Sequence, residues 1–230
     1  MKRPTGKAKA TASCLPKKPL RHRFFALRHG ESEANVAKII ISDPKVGTKA
    51  FGLTAAGRKG ATRAGQMFKK TAAKRVVMVS SDFSRAKQTA QLFAQALRKA
   101  GRICPLRIAK ELRERRFGSL EADSDARYPE VWAQDRHDPA ARPFGVEAAQ
   151  AVQRRTSRLV AKLDRELPDG ADVAHGLNWR CHVLVSHGDA LQILQTAFLA
   201  ESQAPDNLNA SKHRTLPHLD RAELRELKKR

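Results

Sequence analysis

A chain of 230 residues can form one α/β domain with a substantial core and leaves little for a second full domain. No apolar stretch is long enough to span a bilayer, and the three cysteines, Cys14, Cys104 and Cys181, form neither a disulfide framework nor a CxxC metal site, so a soluble protein in a reducing compartment is expected. The formal net charge of +22 attracts anions in general, whether phosphorylated metabolites, nucleic acid or acidic proteins, although a solubility bias accounts for it equally well.

Residues 1–23 hold eight Lys and Arg and no acidic residue, with Pro4, Pro16 and Pro19, and read as a disordered basic tail. Removing those eight charges from +22 leaves +14, so the basic bias belongs to the whole chain. Two targeting readings stand beside a cytoplasmic location. The lack of acids suits a transit peptide, against the Lys and Pro content, and Lys17-Lys18-Pro19-Leu20-Arg21-His22-Arg23 suits a nuclear-import patch.

The first strand, Phe24–Leu27, runs into Arg28-His29-Gly30-Glu31 and a short helix through Asn35 and Val36. A loop marked by Ser42-Asp43-Pro44 and Gly47 follows, then a helix from Thr54 as N-cap to about Lys70. Val76–Val79 is a strand, and Ala86, Ala90, Phe93 and Leu97 recur at helical spacing in an amphipathic helix ending near Gly101. Ile103–Ile108 reads as a strand, and Ala122–Gly145, polar and broken by Pro129, Pro139 and Pro143, as an irregular insertion or lid. Val152, Thr156, Leu159 and Leu163 mark a long helix that stops at Pro168. The strand His182–Ser186 ends in His187-Gly188-Asp189, before a helix Ala190–Phe198. Beyond Ala200 the chain is a polar extension, with Arg221–Arg230 a charged terminal helix or frayed tail, which puts the domain at 24–200. Strands alternating with helices imply a three-layer αβα sandwich around a mainly parallel sheet.

Two strands that each end in His-Gly place two imidazoles on one sheet edge, where α/β proteins bind ligands. Histidine can act as a nucleophile at phosphorus, and arginine matches phosphate oxygens through a planar fork of donors. His29 is thus the candidate nucleophile, with Arg28, Arg85 and His187 as the phosphate pocket; Arg85 opens a helix whose start adds backbone donors. Cys181-His182 with His187 suggests zinc, but Val183, Leu184 and Val185 make this a buried strand, and neither metal nor cofactor is expected.

Taken in order, Arg28-His29-Gly30-Glu31, Ser80-Ser81-Asp82-Phe83-Ser84-Arg85-Ala86, Leu112-Arg113-Glu114-Arg115-Arg116-Phe117-Gly118 and His187-Gly188 resemble the histidine phosphatase superfamily, the branch with cofactor-dependent phosphoglycerate mutases. The resemblance covers roughly Phe24–Phe198 and implies a phosphoglycerate mutase-like fold and a phosphohistidine on His29. It implies that Asn35 hydrogen-bonds the transferred phosphate and that Glu114, rather than Glu111, is the general acid, because the family's acid precedes a residue pair and an aromatic-Gly step. Gly188 joins the substrate contacts, and Arg115 and Arg116 either bind a second anionic group or are solvated.

Departures concern the substrate. Many mutases have Trp at Ala34 and Gly at Ala122, and the stretch between Glu114 and His187 is shorter than theirs. The expectation is therefore a metal-independent phosphatase acting on a phosphorylated small molecule. The alternatives are a phosphoglycerate mutase-type phosphotransferase and a catalytically dead basic scaffold binding polyanions. No nucleic-acid motif supports the last, and oligomeric state is not legible.

Overall fold

The structure is a computed structural model that describes residues 15, 18–68, 73, 75–166, 180–199 and 208–228. Among these residues five strands form one sheet, β1 (Arg23–Arg28), β2 (Val76–Ser80), β3 (Leu106–Ile108), β4 (Cys181–Ser186) and β5 (Leu224–Leu227), in the order β3-β2-β4-β1-β5. The first four are parallel, and β5 runs antiparallel on the β1 edge. β1, β2 and β4 are apolar without polar alternation, as strands covered on both faces must be.

The strand pleat divides the core in two. Phe24, Ala26, Val77, Val79 and Leu184 pack against Leu159 and Leu163 of helix α6 (Ala149–Arg165) and Leu191 and Leu194 of helix α7 (Gly188–Thr196). Phe25, Leu27, Val76, Met78 and Val183 meet Ala86, Ala90, Phe93 and Leu97 of helix α4 (Ser84–Lys99), with helix α3 (Ala55–Gln66) packed alongside. This is the expected three-layer αβα sandwich.

Thr54 caps α3 by accepting a bond from the Gly57 N–H, but the helix ends at Gln66, short of the expected Lys70, which lies outside the described residues. Between α1 (Glu33–Val36) and α3, the expected loop contains a short helix α2 (Pro44–Gly47), capped by Asp43. Other differences bear on the site. The stretch Ala122–Gly145 contains helix α5 (Tyr128–His137), whose Pro129 lies in its first turn, where no intrahelical N–H bond is lost. Ala122 has φ of 64°, the left-handed backbone that glycine adopts without strain.

The described part of the C-terminal extension, residues 208–228, is neither a terminal helix nor a frayed tail. Leu224–Leu227 is β5, Leu219 is buried, and Leu208–Thr215 is a 3-10 helix packed on α5, α6 and α7. Most of residues 1–23 lie outside the described residues. The described part packs onto the domain: Leu15 joins the core, and buried His22 accepts from the Arg180 N–H and takes its own backbone bond to Asp164. Cys181 and His182 lie inside β4, where His182 stacks on Phe24 and burial pushes the Cys181 thiol up to about 12. Among the described residues, no helix is long and apolar enough to cross a membrane.

Candidate active site

The parallel register sets Arg28 of β1 opposite Ser186 of β4, and Ser80 of β2 opposite Val185, so the turns after the three strands leave the sheet at one level. Those turns carry His29, Ser81 and His187, while Arg85 stands in the first turn of α4. The His29 loop is pressed onto the start of α3; a Cβ on Gly30 would lie 2.5 Å from the Gly57 carbonyl oxygen. Gly188 similarly leaves room for the Arg28 guanidinium, whose central carbon would sit 3.3 Å from a Cβ there.

His29 is 3 % exposed, with Nδ1 2.7 Å from the Gly30 carbonyl oxygen and Nε2 3.1 Å from Arg85 Nε. A carbonyl only accepts and a guanidinium only donates, so Nδ1 carries the hydrogen and Nε2 presents a lone pair. Burial, then Arg85 and Arg28, push the imidazole pKa well below its ordinary value, which keeps it neutral. His187 packs against it with ring centroids 5.2 Å apart and holds Nε2 3.0 Å from Ser81 Oγ; burial and Arg85 push its pKa down too.

Among the described residues, three buried nitrogens close to His29 have no hydrogen-bond partner: Arg28 Nε, Arg85 Nη1 and His187 Nδ1. Their residues are nevertheless held in place. Arg85 Nη2 donates to the Ile41 carbonyl at 2.9 Å, and Arg28 Nη1 donates to the Leu219 carbonyl at 2.9 Å and to His218 Nε2 at 2.7 Å. Buried unpaired donors cost free energy unless something meets them, so the cluster fits an anion with several oxygens. Asn35 lines the same cavity, its amide oxygen accepting from the Ser32 N–H and hydroxyl, which leaves its NH₂ as the donor for a ligand.

Glu114 also lines this cavity of about 200 Å³. Its Oε1 accepts the Arg115 N–H at 2.9 Å and the Ala190 N–H at 3.1 Å. Burial, and next the Asp189 carboxylate, push its pKa above the ordinary carboxylate value, against the opposing pull of Arg85. A carboxyl group whose pKa is raised, lining the same cavity as an imidazole whose pKa is lowered, is the combination an acid and a nucleophile need. Glu111 is exposed, as a surface charge should be.

His29, Arg28, Arg85, Asn35, Glu114 and Gly188 all line the cavity, with His187 packed against His29. Arg115 and Arg116 do not belong to it. Arg115 is fully buried in a bidentate pair with Asp135 at 2.6 and 2.7 Å, and it also donates to Asp189 at 3.1 Å and the Glu147 carbonyl at 2.6 Å. Four of its five N–H donors are committed and the side chain is fully buried, so the expected second anion has no guanidinium there. Arg116 is exposed away from the lining.

Sequence reasoning missed Tyr128, Trp132, Asp189, His218 and Arg221, which also line the cavity. One signal existed: in a chain with one Tyr and two Trp, Tyr128 and Trp132 stand at i, i+4, a helical spacing inside a stretch read as irregular. For His218 and Arg221 there was none.

A family model described as the histidine phosphatase superfamily (branch 1) matches residues 24–224. The chain is 29% identical over 195 residues to a phosphoglycerate mutase of Candida albicans, covering 75% of each chain. It is 27% identical over 172 residues to a broad-specificity phosphatase of Saccharomyces cerevisiae, covering 75% of this chain and 68% of that one. Among solved structures, a mycobacterial glucosyl-3-phosphoglycerate phosphatase with VO3 superposes with a TM-score of 0.65 at 26% identity, covering 89% of this chain and 92% of that one.

Proposed function

We propose that this chain, which belongs to branch 1 of the histidine phosphatase superfamily, hydrolyses a phosphate monoester through a phosphohistidine on His29. The observation that carries the proposal is the set of buried, unpaired donors gathered near a neutral His29 whose Nε2 lone pair is free of a proton.

In the first step Nε2 attacks phosphorus, and the bond to the leaving oxygen breaks as the P–N bond forms. Positive charge then appears on the ring, and the Gly30 carbonyl, already accepting from Nδ1–H, stabilises it. Charge on the phosphoryl oxygens is met by Arg28, Arg85, His187 and Asn35, so the electrostatic work falls to the protein's own groups and no metal is required. Glu114 gives its proton to the leaving alkoxide. In the second step the Glu114 carboxylate takes a proton from water, whose oxygen bonds to phosphorus as the P–N bond breaks, its electron pair returning to Nε2 and leaving His29 neutral.

The test is brief incubation with labelled p-nitrophenyl phosphate and EDTA, quenched in base. We expect an acid-labile phosphoryl group on His29 and a loss of turnover in His29→Ala of about 10⁴-fold or more, the scale of losing a covalent nucleophile. Undiminished label in His29→Ala would remove the nucleophile assignment, and dependence on a chelatable metal would remove the metal-independent step.

The likeness to a phosphoglycerate mutase supports a second reading, transfer of the phosphoryl group to a retained hydroxyl instead of water. Net phosphate release, with little interconversion of phosphoglycerates, distinguishes the phosphatase from it.

A further inference from the structure

Glu114 is held by one of its two oxygens. Oε1 accepts two backbone N–H groups, from Arg115 at 2.9 Å and from Ala190 at 3.1 Å. Oε2 makes no hydrogen bond among the described residues and is not one of the buried unpaired atoms. The Ala190 N–H is available because it lies in the first turn of α7, where backbone donors lack an intrahelical acceptor. A carboxyl oxygen that accepts two N–H bonds is not the one that carries the proton, so the proton of Glu114 belongs on Oε2.

The two donating segments are tied together a second time, by side chains. Arg115 Nη1 donates to Oδ2 of Asp189, the residue before Ala190, at 3.1 Å. The Trp132 indole N–H donates to Asp189 Oδ1 at 2.9 Å, and Asp135, one turn further along α5, takes the bidentate bond from Arg115. Asp189 is 5 % exposed and lines the same cavity as Glu114. One ion pair therefore sets the spacing of both N–H donors.

Charge adds a second effect. Asp135 and Asp189 share the Arg115 guanidinium. His213 reaches Asp135 through Nε2 at 3.1 Å, a bond that a neutral ring can make, and its Nδ1 lies 4.0 Å from Asp189 Oδ1. With that ring neutral, one negative charge of the cluster stays uncompensated and faces Glu114. Arg85 of α4 and Arg28 of β1 face the same carboxyl group and favour its ionised form, as do the two N–H bonds, and the Tyr128 phenol of α5 stands nearby. Burial first, and Asp189 next, favour the proton-bearing form.

We propose that Asp189 is a positioning residue for the general acid: paired with Arg115, it sets the two N–H donors on Glu114 Oε1 and leaves Oε2 to the leaving oxygen. The proposal rests on the acid role of Glu114. In the step it serves, the O–H bond at Oε2 breaks as the proton passes to the leaving alkoxide, and Oε2 later regains a proton from the attacking water. The Asp189 charge keeps that proton in place to higher pH.

The test compares Asp189→Asn and Glu114→Gln with the wild type across pH, on benzyl phosphate, a poor leaving group, and p-nitrophenyl phosphate, a good one. Asp189→Asn removes the charge at nearly constant shape. Its kcat on benzyl phosphate should fall about 10-fold, part of the range a general acid supplies, with much less loss on p-nitrophenyl phosphate. The alkaline limb of its pH profile should move to lower pH, because the anion that favours the protonated carboxyl group is gone. His218, which Asp189 also faces, has a lowered pKa and acts on the acid limb. Equal losses on the two esters, or an unmoved alkaline limb, would overturn the role of Asp189 while Glu114→Gln still told the esters apart. A Glu114→Gln protein that lost both esters alike would instead sink the acid assignment, and the role of Asp189 with it. If Asp189→Asn does not fold, because its NH₂ must face the Arg115 or Trp132 donor, Asp189→Ser removes the charge, leaves room for water and decides by the same measurements.

Discussion

The two ends of the cavity are built by different kinds of chain. At the phosphate end, Arg28, His29 and His187 stand at the ends of β1 and β4, and Arg85 opens the helix after β2. At the alcohol end, Tyr128 and Trp132 come from α5, and Arg221 from the stretch before β5. Strand ends in a buried parallel sheet are fixed by ladder bonds on both sides, so donors placed there hold their geometry before any ligand arrives. A wall made of a surface helix and an edge segment can change its side chains without disturbing that geometry. Such a division lets one phosphoryl-transfer chemistry serve different alcohols.

The sharpest way to separate the ends is to remove the carboxyl group proposed as the acid. Glu114→Gln should slow turnover of an alkyl ester by about 10²–10⁴-fold, the range for a lost general acid, and much less for p-nitrophenyl phosphate, whose leaving group scarcely needs a proton. The pH profile carries the same signature. His29 acts when neutral, so activity falls as pH drops through a pKa lowered below 6.5. Glu114 acts first when protonated, so activity falls as pH rises through a pKa raised above 4.5. The Gln variant should lose the alkaline limb and keep the acid one. Equal losses on good and poor leaving groups, with both limbs intact, would take the acid role from Glu114.

The same division governs what the sequence reveals. Strand-to-His-Gly turns announce themselves, because an apolar run followed by Arg28-His29-Gly30 or His187-Gly188 has a period and an end that can be read locally. The helical spacing behind α4 and α6 was equally plain, and with it the layered fold. Tyr128 and Trp132 were hidden by neighbouring prolines, although Pro129 sits where a helix tolerates it. β5 was hidden because Leu224-Arg225-Glu226-Leu227 is charged at its centre, and an edge strand needs apolar contacts on few positions. Arg115 was misread for a different reason: nothing local shows that Asp135 and Asp189, far along the chain, close around it.

Arg115 and Arg116 supply the next comparison. Arg115→Met should leave the Asp135 and Asp189 carboxylates buried without their cation and cost about 3–5 kcal/mol of stability, the scale for breaking a buried pair from one side. Arg116→Met, on the surface, should change stability by no more than about 0.5 kcal/mol. Urea denaturation midpoints at constant m-value distinguish them. An Arg115→Met protein of normal stability with weakened substrate binding would return Arg115 to the role of a ligand for a second anion.

The smallest effect expected is at His218, where the C-terminal segment reaches the phosphate end. Its Nδ1 lies 3.1 Å from Gln192 Oε1 and its Nε2 2.7 Å from Arg28 Nη1, so a neutral ring donates to one and accepts from the other. Partial burial, then Arg28 and Arg214, lower its pKa, while Asp189 and Asp220 oppose them. The ring is therefore an acceptor above that lowered pKa and becomes a cation facing Arg28 as pH falls through it. His218→Leu should raise KM and the inhibition constant of inorganic phosphate by about 3–10-fold with little change in kcat, a partial transmission of a hydrogen bond to a charged group. His218→Gln, whose amide oxygen can accept from Arg28, should recover most of the affinity and remove the part of the acid-side rise in KM that belongs to the imidazole. If Leu and Gln raised KM alike, the ring would be only a packing element, and Arg28 would keep its aim through the Leu219 carbonyl alone.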